Sequence, residues 1–318
     1  MKDEFYNLGM IDENYIIKAK LGKGASSIVY KIQDWKTKEE FAAKVIDSYN
    51  KNEFQNNQKL SRINNSHIIK FISFKQGNII LSNTKDFKPY FIFELSDKGD
   101  LSDYINCGKN GFKELHCKFI FHEILEGIQA IHNEKIYHGD IKAENILLSS
   151  DKYIIKICDF GLSADSEELQ NGRRGTEQYM APEIIMEKDE YDGIKADIFS
   201  LGVLLCLLRV GKNLFDQAKI TNNNMQQTKY DYIKEKNETF WKICEANAIN
   251  GLTKEFKDLY LKMVAYEPKE RPSIEEIING EWIKEIKDLN EKEYENLRKE
   301  IIKEFRQREE IILSNKDL

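Results

Sequence analysis

The chain has 318 residues, of which 41% are apolar and 32% are charged, and its formal net charge is -6. This apolar fraction is enough for a packed core, so it excludes a disordered or collagen-like chain. A mildly acidic chain without a long basic run offers nucleic acid no attractive surface, and we expect no nucleic-acid partner.

Three features of the sequence bear on where in the cell the protein is located. The first ten residues contain acids where an export signal needs positive charge and an apolar stretch, so we expect no such signal. The longest apolar segment, 198–210, is shorter than the roughly 20 residues that span a bilayer, and we expect no membrane partner. Five cysteines without a C-x-x-C pair favour a reduced, cytoplasmic setting.

Short runs rich in β-branched and aromatic residues dominate the first 95 residues. Strands are predicted, in chain order, at 15–21, 27–33, 40–46, 68–74, 78–82 and 90–94. Helical spacing between the third and fourth of these predicts one helix over 52–63. The first part of the chain is therefore predicted to be a sheet with a single helix.

The periodicity becomes helical after residue 99. Helices are predicted at 115–133, 196–208 and 254–264, and a strand is predicted at 154–158. The polar interval 220–229 lacks periodicity and predicts an exposed loop.

Residues 281–313 predict one long, highly charged helix with a thin apolar stripe. The stripe consists of Ile286, Leu289, Tyr294, Leu297, Ile301, Phe305 and Ile312. The pattern leaves three interpretations open: a helix that lies on the rest of the chain or stands in solvent, a coiled-coil dimer, or a regulatory tail.

Four motifs that can carry chemistry follow one another along the chain. Gly22 and Gly24 lie between two predicted strands, where backbone N–H groups can approach a phosphate closely. The other three motifs are A-A-K ending at Lys44, Y-H-G-D-I-K-A-E-N over 137–145, and D-F-G over 159–161. Each motif alone is usually structural or accidental, but all four in this order rarely arise by chance.

With these motifs, the sequence over 15–283 resembles the eukaryotic protein kinases of the serine/threonine type. The resemblance extends to T-E-Q-Y-M-A-P-E over 176–183, which is similar to the end of an activation segment, and to E-P-K-E-R-P-S over 267–273. It implies an α+β, two-lobed protein kinase fold with an ion pair between Glu183 and Arg271.

Three parts of the chain are implied by the resemblance. Residues 1–95 would form a small β-rich N-lobe with one main helix, and residues 96–283 a larger helical C-lobe. Residues 284–318 would form the charged amphipathic helix that follows the domain.

The resemblance also assigns the groups that phosphoryl transfer requires. Asp159 and Asn145 would hold Mg²⁺, because carboxylate and amide oxygens suit this cation. Lys44 would contact the α and β phosphates of ATP, and Lys142 the phosphoryl group in transfer. Asp140 would accept the proton of the acceptor hydroxyl.

The nucleotide would contact a further set of residues that the resemblance implies. Besides Lys44, these are Leu21, Gly22, Gly24, Val29, Ala42, Glu94, Ser96, Asp100 and Leu147. The contacts at Glu94 and Ser96 would use the backbone, and Phe93 would be a bulky gatekeeper. Asp100 is either a ligand for the ribose or for a basic side chain of a peptide, or a solvated surface acid.

Three positions depart from the family pattern. Ser27 replaces the third glycine of the glycine-rich loop. Gly139, in the sequence H-G-D, replaces an arginine that normally pairs with a phosphate on the activation segment. Asn56 stands where relatives carry the acid that pairs with Lys44, and the nearest acid, Glu53, lies one turn earlier. Either Glu53 takes that role through a shifted helix, or Lys44 is held less firmly and the active arrangement is only partly populated.

Two functions remain open at this point. Lys142 and Thr176 favour a kinase that uses ATP and Mg²⁺ to phosphorylate Ser or Thr in protein substrates. Asn56, at the position where relatives carry the acid for Lys44, favours a pseudokinase or weakly active scaffold module. Besides protein substrates, the C-terminal helix allows a regulatory partner or self-association.

Overall fold

A computed structural model describes residues 8–81, 84–108, 110–187, 190–221, 227–247 and 249–316. They divide into two compact units. The first unit ends at Asp97 and is rich in strands, whereas the second contains Asn65–His67 and the chain from Lys98 onward and is rich in helices. The predicted α+β class is thereby confirmed.

The strands of the first unit close into a barrel in the order β1-β2-β3-β4-β6-β5. All neighbouring strands in this barrel run antiparallel. Its elements are β1 (Gly9–Ile11), β2 (Tyr15–Lys23), β3 (Ser27–Asp34), β4 (Glu40–Ile46), α1 (Lys51–Leu60), β5 (Phe71–Leu81) and β6 (Thr84–Glu94). Alternate apolar side chains of these strands fill the interior, as the period of two in a strand requires.

Strand β1 is held by the residue that follows it, Asp12, and was not predicted from the sequence. The Asp12 N–H donates to the Asn78 carbonyl (2.7 Å), and its carboxylate accepts from the Asn78 N–H (2.8 Å) and from the Tyr90 hydroxyl (2.7 Å). A Cβ on Gly77 would lie 2.1 Å from this carboxylate, so only glycine fits there. Gly77 is thus an interior strand residue, and the prediction of two strands at 68–74 and 78–82 is wrong: both belong to β5.

The second unit contains two short antiparallel strand pairs, β7 with β10 and β8 with β9, among its helices. Its strands are β7 (Ile136–Tyr137), β8 (Ile146–Ser149), β9 (Ile154–Ile157) and β10 (Ala164–Asp165). Its helices are α2 (Leu101–Asn106), α3 (Glu114–Asn133), α4 (Pro182–Ile185), α5 (Gly193–Val210), α6 (Lys229–Lys234), α7 (Thr239–Ala246), α8 (Lys254–Met263), α9 (Ile274–Ile278), α10 (Glu281–Lys287) and α11 (Glu291–Lys316).

Helix α5 contains the longest apolar segment of the sequence and is buried over most of its length. Asp192 caps its N-terminus by accepting the Lys195 N–H (3.1 Å), and Gly211 ends it in a left-handed conformation with φ of 80°. The apolar segment is therefore the core helix of this unit. Among the helices of the described residues, none combines the length and the apolar character that crossing a bilayer requires.

The single helix predicted over 281–313 is two helices, α10 and α11. Asn290 starts the second one: its side chain accepts the Glu293 N–H (3.1 Å), and the Glu293 carboxylate accepts the Asn290 N–H (3.0 Å). This reciprocal cap favours a new helix start. The stripe residues Leu297, Ile301 and Phe305 are buried within the second unit.

Half of the predicted polar loop at 220–229 lies outside the described residues, which omit 222–226. At its end, Lys229 is the first residue of α6.

Candidate active site

The first unit pairs Lys44 of β4 with Glu53 of α1. The Lys44 Nζ lies 2.6 Å from the Glu53 Oε1, and the two side chains are only 12% and 5% exposed. Asn50 caps α1 by accepting the N–H groups of Asn52 and Glu53, which fixes the first turn of the helix. The acid for Lys44 is therefore Glu53, so of the two possibilities that the sequence left open, the structure shows the one in which Glu53 takes the role.

Strand register brings the predicted nucleotide residues of the first unit next to one another. Val29 of β3 pairs with Lys44 of β4 on one side and with Gly22 of β2 on the other. Ala42 pairs with Phe93 of β6. Leu21 is an exposed apolar side chain, with 49% of its surface accessible. Small and apolar residues thus lie on β4 and on the strands β2 and β3 that precede it.

The backbone that follows β6 carries Glu94 and Ser96. The Glu94 N–H donates to the Lys70 carbonyl (3.0 Å), and its carboxylate accepts the Lys70 N–H (2.8 Å). The carbonyl oxygen of Glu94 is therefore the backbone atom that a ligand would contact. The Ser96 hydroxyl is enclosed and finds no hydrogen-bond partner among the described residues, so a polar ligand atom or water must satisfy it.

In the second unit, the Asp140 carboxylate accepts hydrogen bonds from three residues. Its Oδ1 accepts from the backbone N–H (2.8 Å) and hydroxyl (2.7 Å) of Thr176, and its Oδ2 from the Lys142 Nζ (2.6 Å) and the Asn145 amide (3.2 Å). The Lys142 Nζ also donates to the Thr176 hydroxyl (2.7 Å). The structure thus brings together three residues predicted for the site. Thr176 joins them, although its motif and residue type indicated only the end of the activation segment and the acceptor type.

The loop that carries Asp140 is anchored to Asp197 of α5. The Asp197 carboxylate accepts the backbone N–H groups of His138 (2.7 Å) and Gly139 (2.9 Å) and contacts the His132 ring nitrogen (2.9 Å). Gly139 has a φ of 79°, and a Cβ there would lie 2.7 Å from the Leu162 carbonyl oxygen. A side chain at this position would be strained, so the loop shape itself requires glycine.

Asp159 follows a backbone segment that is bonded to the loop of Asn145. The Cys158 N–H donates to the Asn145 carbonyl (3.0 Å), and the Cys158 carbonyl lies 2.9 Å from the His138 Nε2. Asp159 itself is exposed and has a φ of 65°, which is uncommon for a residue with a side chain. Phe160 is buried, with its ring 5.2 Å from that of His138, and it anchors the turn.

The donor atoms near this turn fit a hard cation. Asn145 directs its amide nitrogen to the Asp140 carbonyl (2.8 Å), so its amide oxygen is the atom suited to a metal. Nowhere in the described chain do three or more His, Cys, Asp or Glu side chains group as a metal site. One carboxylate and one amide therefore need phosphate or water oxygens to complete the coordination, which is the usual arrangement for Mg²⁺.

Asp100 has a structural task that neither prediction named. Its carboxylate caps α2 by accepting the Ser102 N–H (3.0 Å) and the Asp103 N–H (3.3 Å). The side chain is partly buried, and this burial raises the pKa of the carboxyl group. Asp100 is therefore not a freely solvated acid. Its backbone forms a bridge with Leu147, the predicted floor of the nucleotide site.

Comparison with known proteins identifies the family of this chain. Residues 15–283 match the protein kinase domain. The chain belongs to the protein kinase family.

Relatives of this kinase domain include named serine/threonine kinases. The human SNF-related serine/threonine-protein kinase is 31% identical over 291 residues, which cover 87% of this chain and 34% of the relative. CBL-interacting protein kinase 26 of Oryza sativa subsp. japonica is 30% identical over 284 residues, covering 87% of this chain and 54% of the relative. The chain thus spans about a third to a half of the length of these relatives.

The predicted ion pair of the kinase domain between Glu183 and Arg271 is confirmed. The guanidinium binds the carboxylate through two hydrogen bonds of 2.6 and 2.7 Å, and both side chains are at most 2% exposed. The remaining guanidinium N–H groups donate to the carbonyls of Ala265, Lys195 and Tyr266. The pair holds the end of the activation segment against the helices of the second unit.

Proposed function

We propose that this kinase domain is an active enzyme that transfers the γ-phosphate of ATP, with Mg²⁺, to serine or threonine hydroxyls of protein substrates. The observation that carries the proposal is the arrangement of Lys142, Asn145 and Thr176 around one carboxylate, that of Asp140. A module without catalysis has no chemical need for this set.

Four residues of the second unit have a task in phosphoryl transfer: Asp140, Lys142, Asn145 and Asp159. Asp140 accepts the proton of the attacking hydroxyl and aligns its oxygen. Lys142, already bonded to Asp140 and Thr176, places a positive charge where the transferred phosphoryl oxygens carry negative charge. Asn145 and Asp159 would hold Mg²⁺, which would neutralise charge on the phosphates.

Lys44 contacts the α and β phosphates in this proposal, and Glu53 keeps its ammonium oriented. The pseudokinase alternative depended on Asn56 facing Lys44. The contact of 2.6 Å between Lys44 and Glu53 removes that reason, and we do not favour the alternative.

Protein substrates and a cytoplasmic location belong to the same proposal, without nucleic-acid or membrane partners. The name of the rice relative, a CBL-interacting kinase, supports a regulatory protein partner as well. Self-association through the C-terminal stripe gains no support, because Leu297, Ile301 and Phe305 are already buried within the second unit.

The proposal is tested with the full chain, labelled ATP and a peptide library that offers Ser, Thr or Tyr as acceptor. We expect incorporation into Ser and Thr peptides that requires Mg²⁺ and stops when a chelator is added. Incorporation into Tyr peptides alone, or into none, would refute the proposed function.

The role of Glu53 predicts a loss of activity for one substitution on α1 and no change in activity for another. Glu53→Gln keeps the side-chain shape but removes the charge that faces Lys44, so we expect kcat/KM for ATP to fall by about 10- to 100-fold. Asn56→Glu should bring no gain, because Lys44 already has its acid. Steady-state kinetics at varied ATP check both variants; a more active Asn56→Glu enzyme would contradict the assignment.

The glycine at position 139 predicts activity that does not depend on activation-segment phosphorylation. No arginine is present at this position to bind a phosphate, and the stretch 169–174 contains no Ser, Thr or Tyr. We expect enzyme treated with a phosphatase, and then freed of it, to keep its turnover within about twofold of the untreated rate. A loss of turnover on this treatment would count against the prediction.

A further inference from the structure

The C-terminal helix α11 lies beyond the residues that match the kinase domain, yet it reaches a segment inside that domain. The family match ends at residue 283, and α11 begins at Glu291. Near its other end, the Glu309 carboxylate accepts the Tyr153 hydroxyl and lies 3.3 Å from the Lys98 Nζ. All these residues belong to the second unit.

The last turns of α11 are fixed by aromatic packing. The buried Phe305 ring stacks on Tyr153 (5.3 Å between centroids, 13° between planes) and meets Tyr104 edge-on at 5.3 Å. Arg308 donates to the Tyr104 carbonyl (2.8 Å), with its guanidinium 4.0 Å from the Phe112 ring centroid. Glu309 is thus presented from a rigid support, which a positioning group requires.

Lys98 is tied to the backbone that carries two predicted nucleotide residues. Its N–H donates to the Leu148 carbonyl (3.0 Å), and its carbonyl accepts the Tyr104 hydroxyl (2.8 Å). The next residue, Gly99, accepts the Leu148 N–H (2.9 Å). Asp100 then bridges to Leu147. The Lys98 side chain thus extends from a segment, 98–100, whose backbone is bonded to β8 at Leu148 and bridged to it at Leu147.

We propose that Glu309 is a positioning residue for the nucleotide, which acts through Lys98 and Tyr153 to hold the segment 98–100 against β8. This inference rests on the proposed function, since Asp100 and Leu147 are nucleotide residues only in a kinase that binds ATP. The Lys98 ammonium also lies 3.7 Å from Asp151 and 5.6 Å from the Tyr153 ring centroid. The Asp151 side chain is 89% exposed, so Glu309, at 25%, is the better-shielded acid and the stronger partner.

The test compares Glu309→Gln with the matched variant Glu310→Gln, which removes the same charge from the next, exposed position of the helix. ATP binding with Mg²⁺ is measured by calorimetry on the full chain, alongside kcat and KM. For Glu309→Gln we expect the ATP Kd and KM to rise about three- to fivefold, with kcat and Tm unchanged, because uniform binding is lost. Glu310→Gln should match the wild type.

A second variant and a double-mutant cycle separate positioning from simple support of the fold. Tyr153→Phe keeps the stacked ring but removes the hydroxyl, and it should raise the ATP Kd in the same direction. Lys98→Met combined with Glu309→Gln should cost less affinity than the sum of the two single substitutions, because the contact between Lys98 and Glu309 is lost in each of them.

The outcomes distinguish this inference from the proposed function. Wild-type ATP affinity in Glu309→Gln, or strictly additive effects in the cycle, would overturn the positioning role while leaving the kinase proposal intact. A wild-type chain that binds no ATP would overturn both.

Discussion

Replacement of Asp140 by Asn should lower the rate of phosphoryl transfer by about 100- to 10,000-fold, the usual contribution of a positioned general base. The change removes the only carboxylate that Lys142, Asn145 and Thr176 jointly surround in the described structure. An amide cannot accept the hydroxyl proton. It also turns one acceptor oxygen into a donor that faces donors, so the alignment of the attacking oxygen is lost as well.

The measurement is phosphate incorporation at saturating ATP, with ATP affinity and Tm determined on the same preparations. Both controls should stay near wild-type values, because Asp140 belongs neither to the predicted nucleotide set nor to the packed core. Asp258→Asn, which alters an exposed carboxylate of α8, should leave the rate unchanged. Equal incorporation by the Asp140→Asn enzyme and the wild type would remove the base assigned here.

The sequence was sufficient for the parts of the site that lie close together along the chain. The motif over 137–145 holds Asp140, Lys142 and Asn145 within six positions, and a single anchored loop brings their side chains together. Strand β4 was predicted with its observed bounds, because alternation and β-branched residues define it. Local patterns predict local geometry well.

These local patterns could not predict contacts between elements that are far apart in the sequence. The choice between Glu53 and Asn56 depends on how α1 is set against β4, which counting residues along the sequence does not give. Strand β1 is only three residues long, which is too short for a periodic signal, and it is defined by its pairing with β2 and β5 and by the bonds of Asp12 to Asn78 and Tyr90. The continuous charge pattern over 281–313 predicted one helix, but the side chain of Asn290 caps the start of a second helix there.

The structure also shows which charged side chains are buried, and the sequence alone does not. Exposed ion pairs such as Lys236 with Glu270 are screened by solvent, whereas the guanidinium of Arg271 is fully enclosed. A buried ion is tolerated only while its partner and its hydrogen bonds remain in place. The motif that contains Arg271 therefore marks a position where one substitution has a large effect on folding.

Arg271→Met is expected to lower the free energy of unfolding by about 3–5 kcal/mol, because it leaves the Glu183 carboxylate buried without a counter-charge. It also deprives three backbone carbonyls of their donor. Lysine would not substitute well, since it cannot reproduce the two parallel hydrogen bonds to Glu183. Urea unfolding followed by helical circular dichroism measures the change, because most helices belong to the second unit.

Two further variants decide whether the lost stability comes from the stranded charge. Adding Glu183→Gln to Arg271→Met should recover part of the loss, because the remaining buried group is then neutral. Lys236→Met, which removes a cation whose side chain is 73% exposed, should leave the unfolding midpoint unchanged. If the double variant proved as unstable as Arg271→Met alone, the loss would have to come from the backbone hydrogen bonds of the guanidinium instead of from the unpaired carboxylate.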